Sequence, residues 1–472
     1  MLTYSFDHRG NTPMYLYLYQ RIKEDILAGN LPKNTRLPSK RNFAKNLGIS
    51  TITVENAYAQ LQSEGYIYSQ PKRGFYVMEL SRPEEAFPSG EAPIPEDALV
   101  MARSLPEQSY EIDLVSNKTH PDNFPFSIWA KIIRETLSQK REELMTTPPC
   151  GGIPELRAAI ASHLKAFRGM EVAPEQIIVG AGTEYLYGLI IQLLGHEKIY
   201  AIENPGYQKL SKVYHSNRVI CHPILSDDQG ITPASLEAVR ANVAHISPSH
   251  HFPTGKVTAI SRRYELLAWS TKASDRYIIE DDYDSEFRMT GKPIPTMQSI
   301  DMSDRVIYVN TFTKTLSSTI RLGYMVLPMH LLQKFYRHMQ FYSCTVSNFE
   351  QYTLAHFLSQ GYFEKHINRM RTHYKTIRDE LLSALKKSPL SPRIRIYEED
   401  AGLHFLLGID TGLTDAEMTA AAKSHGLHLS FLSQYYFDTD ENIPEHMLVL
   451  NYSAIAREDI PKTLELLSEI IS

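Results

Sequence analysis

In the segment NTFTKTLSSTIRLGY one lysine, Lys314, stands beside Thr311 and Thr313, with Arg321 seven residues further on. A lysine in that company can form a Schiff base with a carbonyl while hydroxyls and a guanidinium anchor a phosphate. The plainer alternative is an ion-paired lysine at the end of a buried strand. The segment IEDDYDSEF closes a β-branched run with two adjacent carboxylates, Asp281 and Asp282, and then Tyr283. One carboxylate would keep a pyridine nitrogen protonated, and the tyrosine would hydrogen-bond a ring hydroxyl. In VGAGTEYLYGL a glycine turn at Gly182 opens a helix through Thr183 and Glu184. Such a turn offers backbone N–H groups and a positive helix end to a phosphate. Each piece is weak by itself; the three together weigh toward one shared site.

A second set of candidates sits near the N-terminus and needs a helix–turn–helix to present it. After Pro13, residues Tyr15, Leu18, Tyr19, Ile22, Ile26 and Leu27 recur at helical spacing until Gly29. Ser39 caps a short helix burying Phe43, Ala44 and Leu47, which Gly48 ends; Ser50 caps a third with Val54, Tyr58 and Leu61 inside, stopped by Gly65. YIYSQ, PKRG and FYVMEL then read as strand, turn and strand. Helix, helix–turn–helix and hairpin is the order of a winged helix. The second helix of the pair enters the major groove, so Ser50, Thr51, Thr53, Glu55 and Asn56 would meet bases and phosphates. Ser39, Lys40 and Arg41 at the preceding helix start, with Lys72 and Arg73 at the hairpin tip, would reach phosphates or the minor groove.

The elements that must position Lys314 and its neighbours lie further on. Residues 81–110 hold five prolines and six carboxylates with few periodic apolar residues, which reads as a linker. Beyond it, helical stretches alternate with the runs IIVGAG (177–182), KIYAIE (198–203), RYIIEDD (276–282), RVIYVN (305–310) and LGYMVLP (322–328). That alternation predicts an α/β body, a mostly parallel sheet with helices on both faces. RIRIYEED, GLHFLLGI and MLVLNYS add a smaller α+β C-terminal lobe. The expected organisation is a winged helix over 1–80, a linker over 81–110 and a cofactor-binding body over 111–472.

Composition sets outer bounds. A chain of 472 residues with 43% hydrophobic and 22% charged residues is an ordinary globular protein of two or three domains. Three widely spaced cysteines exclude a disulfide framework and a cysteine metal cluster, and no metal site is expected. The N-terminus is not a signal peptide, and the apolar window Tyr185–Leu194 is too short to span a bilayer, so a cytoplasmic protein without membrane contact is expected. Residues 1–80 carry ten Lys/Arg against six Asp/Glu, and the remainder carries 39 against 48. A basic head on an acidic body implies that the head meets the polyanion.

The segment LPSKRNFAKNLGISTITVENAYAQLQSEGYIYSQPKRGFYV resembles the GntR-type winged helix. That family often has arginine directly after the serine that starts the recognition helix; Thr51 stands there in this chain. The body resembles class-I, fold-type I aminotransferases, and the combination is similar to the MocR/GabR family of transcriptional regulators, including its vitamin-B6-responsive, PdxR-like branch. The resemblance covers essentially the whole chain. It implies pyridoxal 5′-phosphate (PLP) as cofactor, with Lys314 as the Schiff-base lysine, Asp281 on the pyridine nitrogen and Tyr283 on the phenolic oxygen. It further implies Gly182, Thr183, Glu184, Thr311, Thr313 and Arg321 around the phosphate. Tyr207 of ENPGY and His250 and His251 of SPSHHFPTG fall near the ring, and Phe252 occupies the slot of a family asparagine. A head-to-tail homodimer on paired half-sites of promoter DNA is implied as well.

One departure bears on the ligand. The amino-acid-binding members hold the substrate carboxylate through an arginine in a strand that reads LRLGFA; this chain reads LVLNYSA, with Val449 at that position. Valine cannot make the bidentate, charge-assisted pair. Arg457, eight residues on, and Lys209, two residues past Tyr207, are the candidate cationic substitutes. The leading expectation is therefore a PLP-dependent DNA-binding regulator with PLP itself as effector. The alternatives are the same architecture sensing an amino acid or amine, and a working aminotransferase.

Overall fold

The computed structural model describes residues 2–80, 110–116, 119–289, 294–400, 402–437 and 443–471. The linker expected over 81–110 lies, apart from Tyr110, outside the described residues. The chain divides into two compact units, Met1–Glu107 and Gln108–Ser472.

In the first unit α1 (Met14–Ala28), α2 (Lys40–Leu47) and α3 (Thr51–Ser63) precede a hairpin of β1 (Ile67–Gln70) and β2 (Gly74–Val77). The caps form where the sequence places them. Ser39 Oγ accepts the Asn42 N–H at 3.3 Å, and Ser50 Oγ accepts that of Thr53 at 3.1 Å. Gly48 takes the left-handed conformation (φ 66°) that closes α2 and frees the chain to turn into α3. Leu18, Ile22, Phe43, Val54, Tyr58 and Leu61 close a core under the hairpin. At the tip Lys72 also takes the left-handed conformation (φ 62°), and it and Arg73 are exposed there.

The second unit is built on a seven-stranded sheet. Its strands are β4 (Ile177–Gly180), β5 (Ile199–Asn204), β6 (Ile220–Leu225), β7 (Val243–Ile246), β8 (Tyr277–Asp281), β9 (Val306–Thr311) and β10 (Gly323–Val326). A short β3 (Ile112–Asp113) precedes them and pairs with β13 (Leu427–His428) in the C-terminal lobe. The sheet order is β4-β10-β9-β8-β7-β5-β6; β10 alone runs antiparallel to its neighbours, because only the segment 312–322 separates it from β9. A parallel return would need a longer crossover. Alternate residues feed opposite layers: Ile177 and Val179 pack in one core, Ile178 and Met325 in the other. Strand β6, with Pro223 inside it, is an edge strand, where the missing N–H is tolerated. The C-terminal lobe carries an antiparallel sheet of β11 (Ile394–Tyr397), β12 (His404–Ile409) and β14 (Met447–Asn451).

Candidate functional site

The site residues collect at the carboxyl ends of the parallel strands, where open α/β sheets place their ligands. Register explains the grouping. Gly323 at the start of β10 lies opposite Gly180 at the end of β4 and Thr311 at the end of β9. The loops carrying Gly182, Thr313 and Arg321 therefore emerge side by side.

Strand β8 sorts the acidic run by its two-residue period. Glu280 is fully buried and accepts the N–H groups of Met297 and Gln298 at 2.8 and 2.9 Å; burial raises its carboxyl to about 7. Asp282, just past the strand end, pairs with the buried Arg168 guanidinium at 2.8 Å and accepts the Tyr308 hydroxyl at 2.7 Å. Both acids serve the interior. Asp281 takes the opposite direction: its Oδ2 accepts the Tyr187 hydroxyl at 2.5 Å and lies 3.6 Å from His245 Nε2. Its Oδ1 is buried and has no hydrogen-bond partner among the described residues. His245 is held in turn by the Tyr214 hydroxyl, 2.7 Å from Nδ1.

Lys314 stands in the turn after β9. No hydrogen bond or ion pair reaches its ammonium among the described residues, and burial lowers its pKa against the partial opposition of Asp284 and Asp281. Thr311 Oγ1 lies 2.8 Å from Thr313 Oγ1 and donates to the Leu322 carbonyl at 3.2 Å. Gly182 (φ 88°) begins the helix Thr183–Leu194, and a Cβ there would stand 3.0 Å from Arg321 Nη2. The guanidinium thus closes directly over the glycine turn. Glu184 bridges the two cations of this corner, 3.2 Å from Arg321 Nη2 and in contact with Lys209 Nζ.

On the other side Tyr283 and His250 meet. His250 Nδ1 bonds Asp284 Oδ2 at 2.7 Å and lies 3.3 Å from the Tyr283 hydroxyl, while Nε2 is buried without a hydrogen-bond partner among the described residues. The close approach needs Gly402, whose added Cβ would overlap the His250 ring at 1.9 Å. His251 belongs elsewhere: Nδ1 bonds Thr254 Oγ1 at 2.7 Å, Nε2 lies 3.6 Å from Glu203, and burial pushes its pKa down to about 3. Tyr207 is half exposed, with its ring edge-on to Phe252 at 6.2 Å. Phe252 packs on His404 and Tyr435 as well, so it acts as apolar filling where an amide would hydrogen-bond.

The neighbouring corner is apolar too. Val449 is 2% exposed and clusters with Leu406, Leu432, Phe252, Tyr435, Tyr436 and Met447. Arg457 does not stand in for an arginine there. It is 70% exposed and engaged with Glu380 on the helix Tyr362–Lys387. Asp284, Tyr187 and His245 escaped the sequence reading. The first two lie inside IEDDYDSEF and TEYLYGL, but only packing shows which way they point.

In the winged helix Arg41, Thr51 and Asn56 are exposed, as are Lys72 and Arg73 at the tip. Lys40 is already paired with Glu55 at 2.6 Å, and the Ser50 and Thr53 hydroxyls are bonded to one another at 2.8 Å in the cap. Ile52, 68% exposed on the first turn of α3, adds an apolar side chain to this surface that the polar pattern did not reveal.

An unpaired buried carboxylate oxygen, a desolvated amine and a helix start closed by a guanidinium complement a protonated ring nitrogen, a carbonyl and a phosphate. The likenesses to other proteins agree with this geometry. Residues 111–440 match the family described as aminotransferase class I and II, and residues 14–77 match the bacterial regulatory proteins of the gntR family. An HTH-type transcriptional regulator of Bacillus subtilis, YdeL, is 36% identical over 450 residues, covering 95% of this chain and 94% of its own. The probable rhizopine catabolism regulatory protein MocR of Rhizobium meliloti is 33% identical over 470 residues, covering 97% and 93%. The HTH-type pyridoxine biosynthesis transcriptional regulator PdxR of Corynebacterium glutamicum is 29% identical over 432 residues, covering 89% and 88%. Among solved structures, a kynurenine aminotransferase of Pyrococcus horikoshii superposes with a TM-score of 0.66 at 23% identity, over 81% of this chain and 95% of that one, a likeness of fold. A recognition head and an aminotransferase body in that order, over nearly the full length of such relatives, mean that the chain belongs to the MocR-type family of HTH transcriptional regulators, in which a GntR-type domain is fused to a class I and II aminotransferase domain.

Proposed function

We propose that the body of this regulator holds PLP and that PLP is itself the signal read out at promoter DNA. In this reading Lys314 holds the cofactor covalently and Asp281 Oδ1 accepts its ring N–H. Tyr283, positioned by His250, hydrogen-bonds the ring hydroxyl, and Tyr207 flanks the ring. Gly182, Thr183, Thr311, Thr313 and Arg321 receive the phosphate, with Glu184 orienting Arg321. When bound, PLP supplies an aldehyde and a ring that withdraws electrons from the attached amine. The fit rests on the unpartnered Asp281 Oδ1 and the unpaired Lys314 amine.

The observation that carries the choice of effector is Val449, buried in an apolar cluster where an amino-acid sensor needs an arginine. An amino acid would leave its carboxylate unpaired against Leu406 and Leu432, which costs several kcal/mol. The same valine weighs against a working transaminase. The pyridoxine biosynthesis regulator of C. glutamicum, at 29% identity, supports the reading by its name. PLP would favour one arrangement of head-to-tail dimers in the cytoplasm, whose paired heads read paired half-sites, and so set promoter occupancy. The test is titration of apo-protein on its promoter with PLP, then a panel of amino acids on the loaded protein. PLP should change DNA affinity or transcription by itself; no effect of PLP, with a clear effect of one amino acid, refutes the reading. That outcome would favour a second reading in which Lys209, half exposed beside Tyr207 and Glu184, takes the carboxylate.

A further inference from the structure

A cavity of about 310 Å³ opens between the edge of the large sheet and the C-terminal lobe, lined by none of the residues assigned above to the cofactor. Its walls include Glu203, His251 and Lys256 from the sheet side and Glu398, Leu406, Leu432 and Met447 from the lobe. Phe252 and Val449, packed on Leu406 and Leu432, belong to the apolar cluster that borders it. The volume lies at the lower end of the range for small-molecule sites.

The electrical character of the walls selects the occupant. Lys256 is paired with Asp228 at 2.7 Å, and Asp227 is paired with Arg262 at 2.8 Å, so those charges are already balanced. His251 is neutral because burial holds its pKa near 3. Two carboxylates remain without an ion pair to Lys or Arg among the described residues, Glu398 and Glu203. Glu203 is 7% exposed; its Oε2 accepts the Ser247 N–H at 2.9 Å, and no hydrogen bond reaches Oε1 among the described residues. Burial raises this carboxyl to about 7, the behaviour of an acid that lacks a compensating cation. The same cavity is lined by the side chains of Leu406, Leu432 and Met447, which offer contact to a hydrocarbon body but no hydrogen bond.

We propose that this cavity is a second ligand site, separate from that of the cofactor, for a small amphipathic amine whose ammonium meets Glu203 Oε1 and whose apolar part lies on Leu406, Leu432 and Met447. An occupant would touch both the sheet and the C-terminal lobe and so stabilise the folded body by binding it. The inference does not depend on PLP being the effector.

The test uses the full-length protein and N,N-dimethyl-2-phenylethylamine, a tertiary amine that cannot condense with an aldehyde. Binding is measured by calorimetry with and without saturating PLP. We expect binding that is unaffected by PLP, weakened at least tenfold by Glu203→Gln, and weakened by Met447→Trp, which fills the apolar wall. Glutamine keeps an acceptor for the Ser247 N–H, and an unchanged melting temperature shows that each variant is folded. 2-Phenylethanol and phenylacetate should bind at least tenfold more weakly than the amine. Absence of amine binding at millimolar concentration, equal binding of the alcohol, displacement by PLP, or wild-type affinity in both variants would overturn the proposal. None of these results bears on whether PLP alters DNA binding, so the two readings fail separately.

Discussion

Asp281→Asn is the perturbation that isolates the chemistry of the body. The substituted side chain keeps an oxygen for the Tyr187 hydroxyl, which lies 2.5 Å from Oδ2, so the fold should be little affected. What disappears is the negative charge on an unpartnered, buried oxygen, and with it a charge-assisted hydrogen bond to a protonated ring nitrogen. Hydrogen bonds to charged groups contribute about 1.5–3 kcal/mol. At about 1.4 kcal/mol per factor of ten, PLP affinity should fall roughly 10- to 150-fold. The assay is PLP binding followed by visible absorbance, run beside Asp282→Asn as the geometric control. Asp282 is paired with buried Arg168 at 2.8 Å, so its variant leaves an uncompensated buried charge and should lose about 3–5 kcal/mol of stability. The Asp282 effect should appear in the melting temperature, and the affinity of the folded fraction should stay close to wild type. An Asp281→Asn protein with wild-type affinity and spectrum, beside a folded Asp282→Asn protein that has lost PLP, would refute the assignment.

Other outcomes follow from the same geometry. Because only the neutral amine is nucleophilic and burial lowers the Lys314 pKa below 10.5, its rate of PLP capture should rise with pH and level off below 10.5; a rate still climbing beyond that pH, as for an exposed lysine, would contradict its burial. Val449→Arg should not confer amino-acid sensing and should cost about 3–5 kcal/mol, since the charge would enter a cluster with Leu406 and Leu432; thermal melting and an amino-acid titration check both parts. Replacing Lys72 and Arg73 with alanine should weaken DNA binding about evenly across sequences and reduce the salt slope by about 2, because each cation releases a phosphate counterion; an unchanged slope in a gel-shift series removes the hairpin tip from the interface. Thr51→Ala, by contrast, should change which half-sites are preferred, as measured by competition between operator variants.

What the amino-acid sequence determined by itself is whatever depends on neighbours within one element. The caps at Ser39 and Ser50 are legible because a side chain at a helix start satisfies an N–H three residues on, and Gly48 and Gly182 because the positive φ at each helix end favours glycine at that position itself. The winged helix and the strand runs were readable for the same reason, and the period of two already set Asp281 opposite Glu280 and Asp282. Which of those faces carries the unpaired oxygen was decided by tertiary structure, because Arg168 and Tyr308 come from distant segments to claim Asp282. Distance in the chain likewise hid the Asp284–His250 bond, the departure of His251 toward Glu203, and the engagement of Lys40 by Glu55. Val449 is the sharpest case. Its identity is plain in the sequence, but only the packing of β12 and β14 shows that Leu406 and Leu432 fill the space around it, so no cation can enter without burying an unpaired charge.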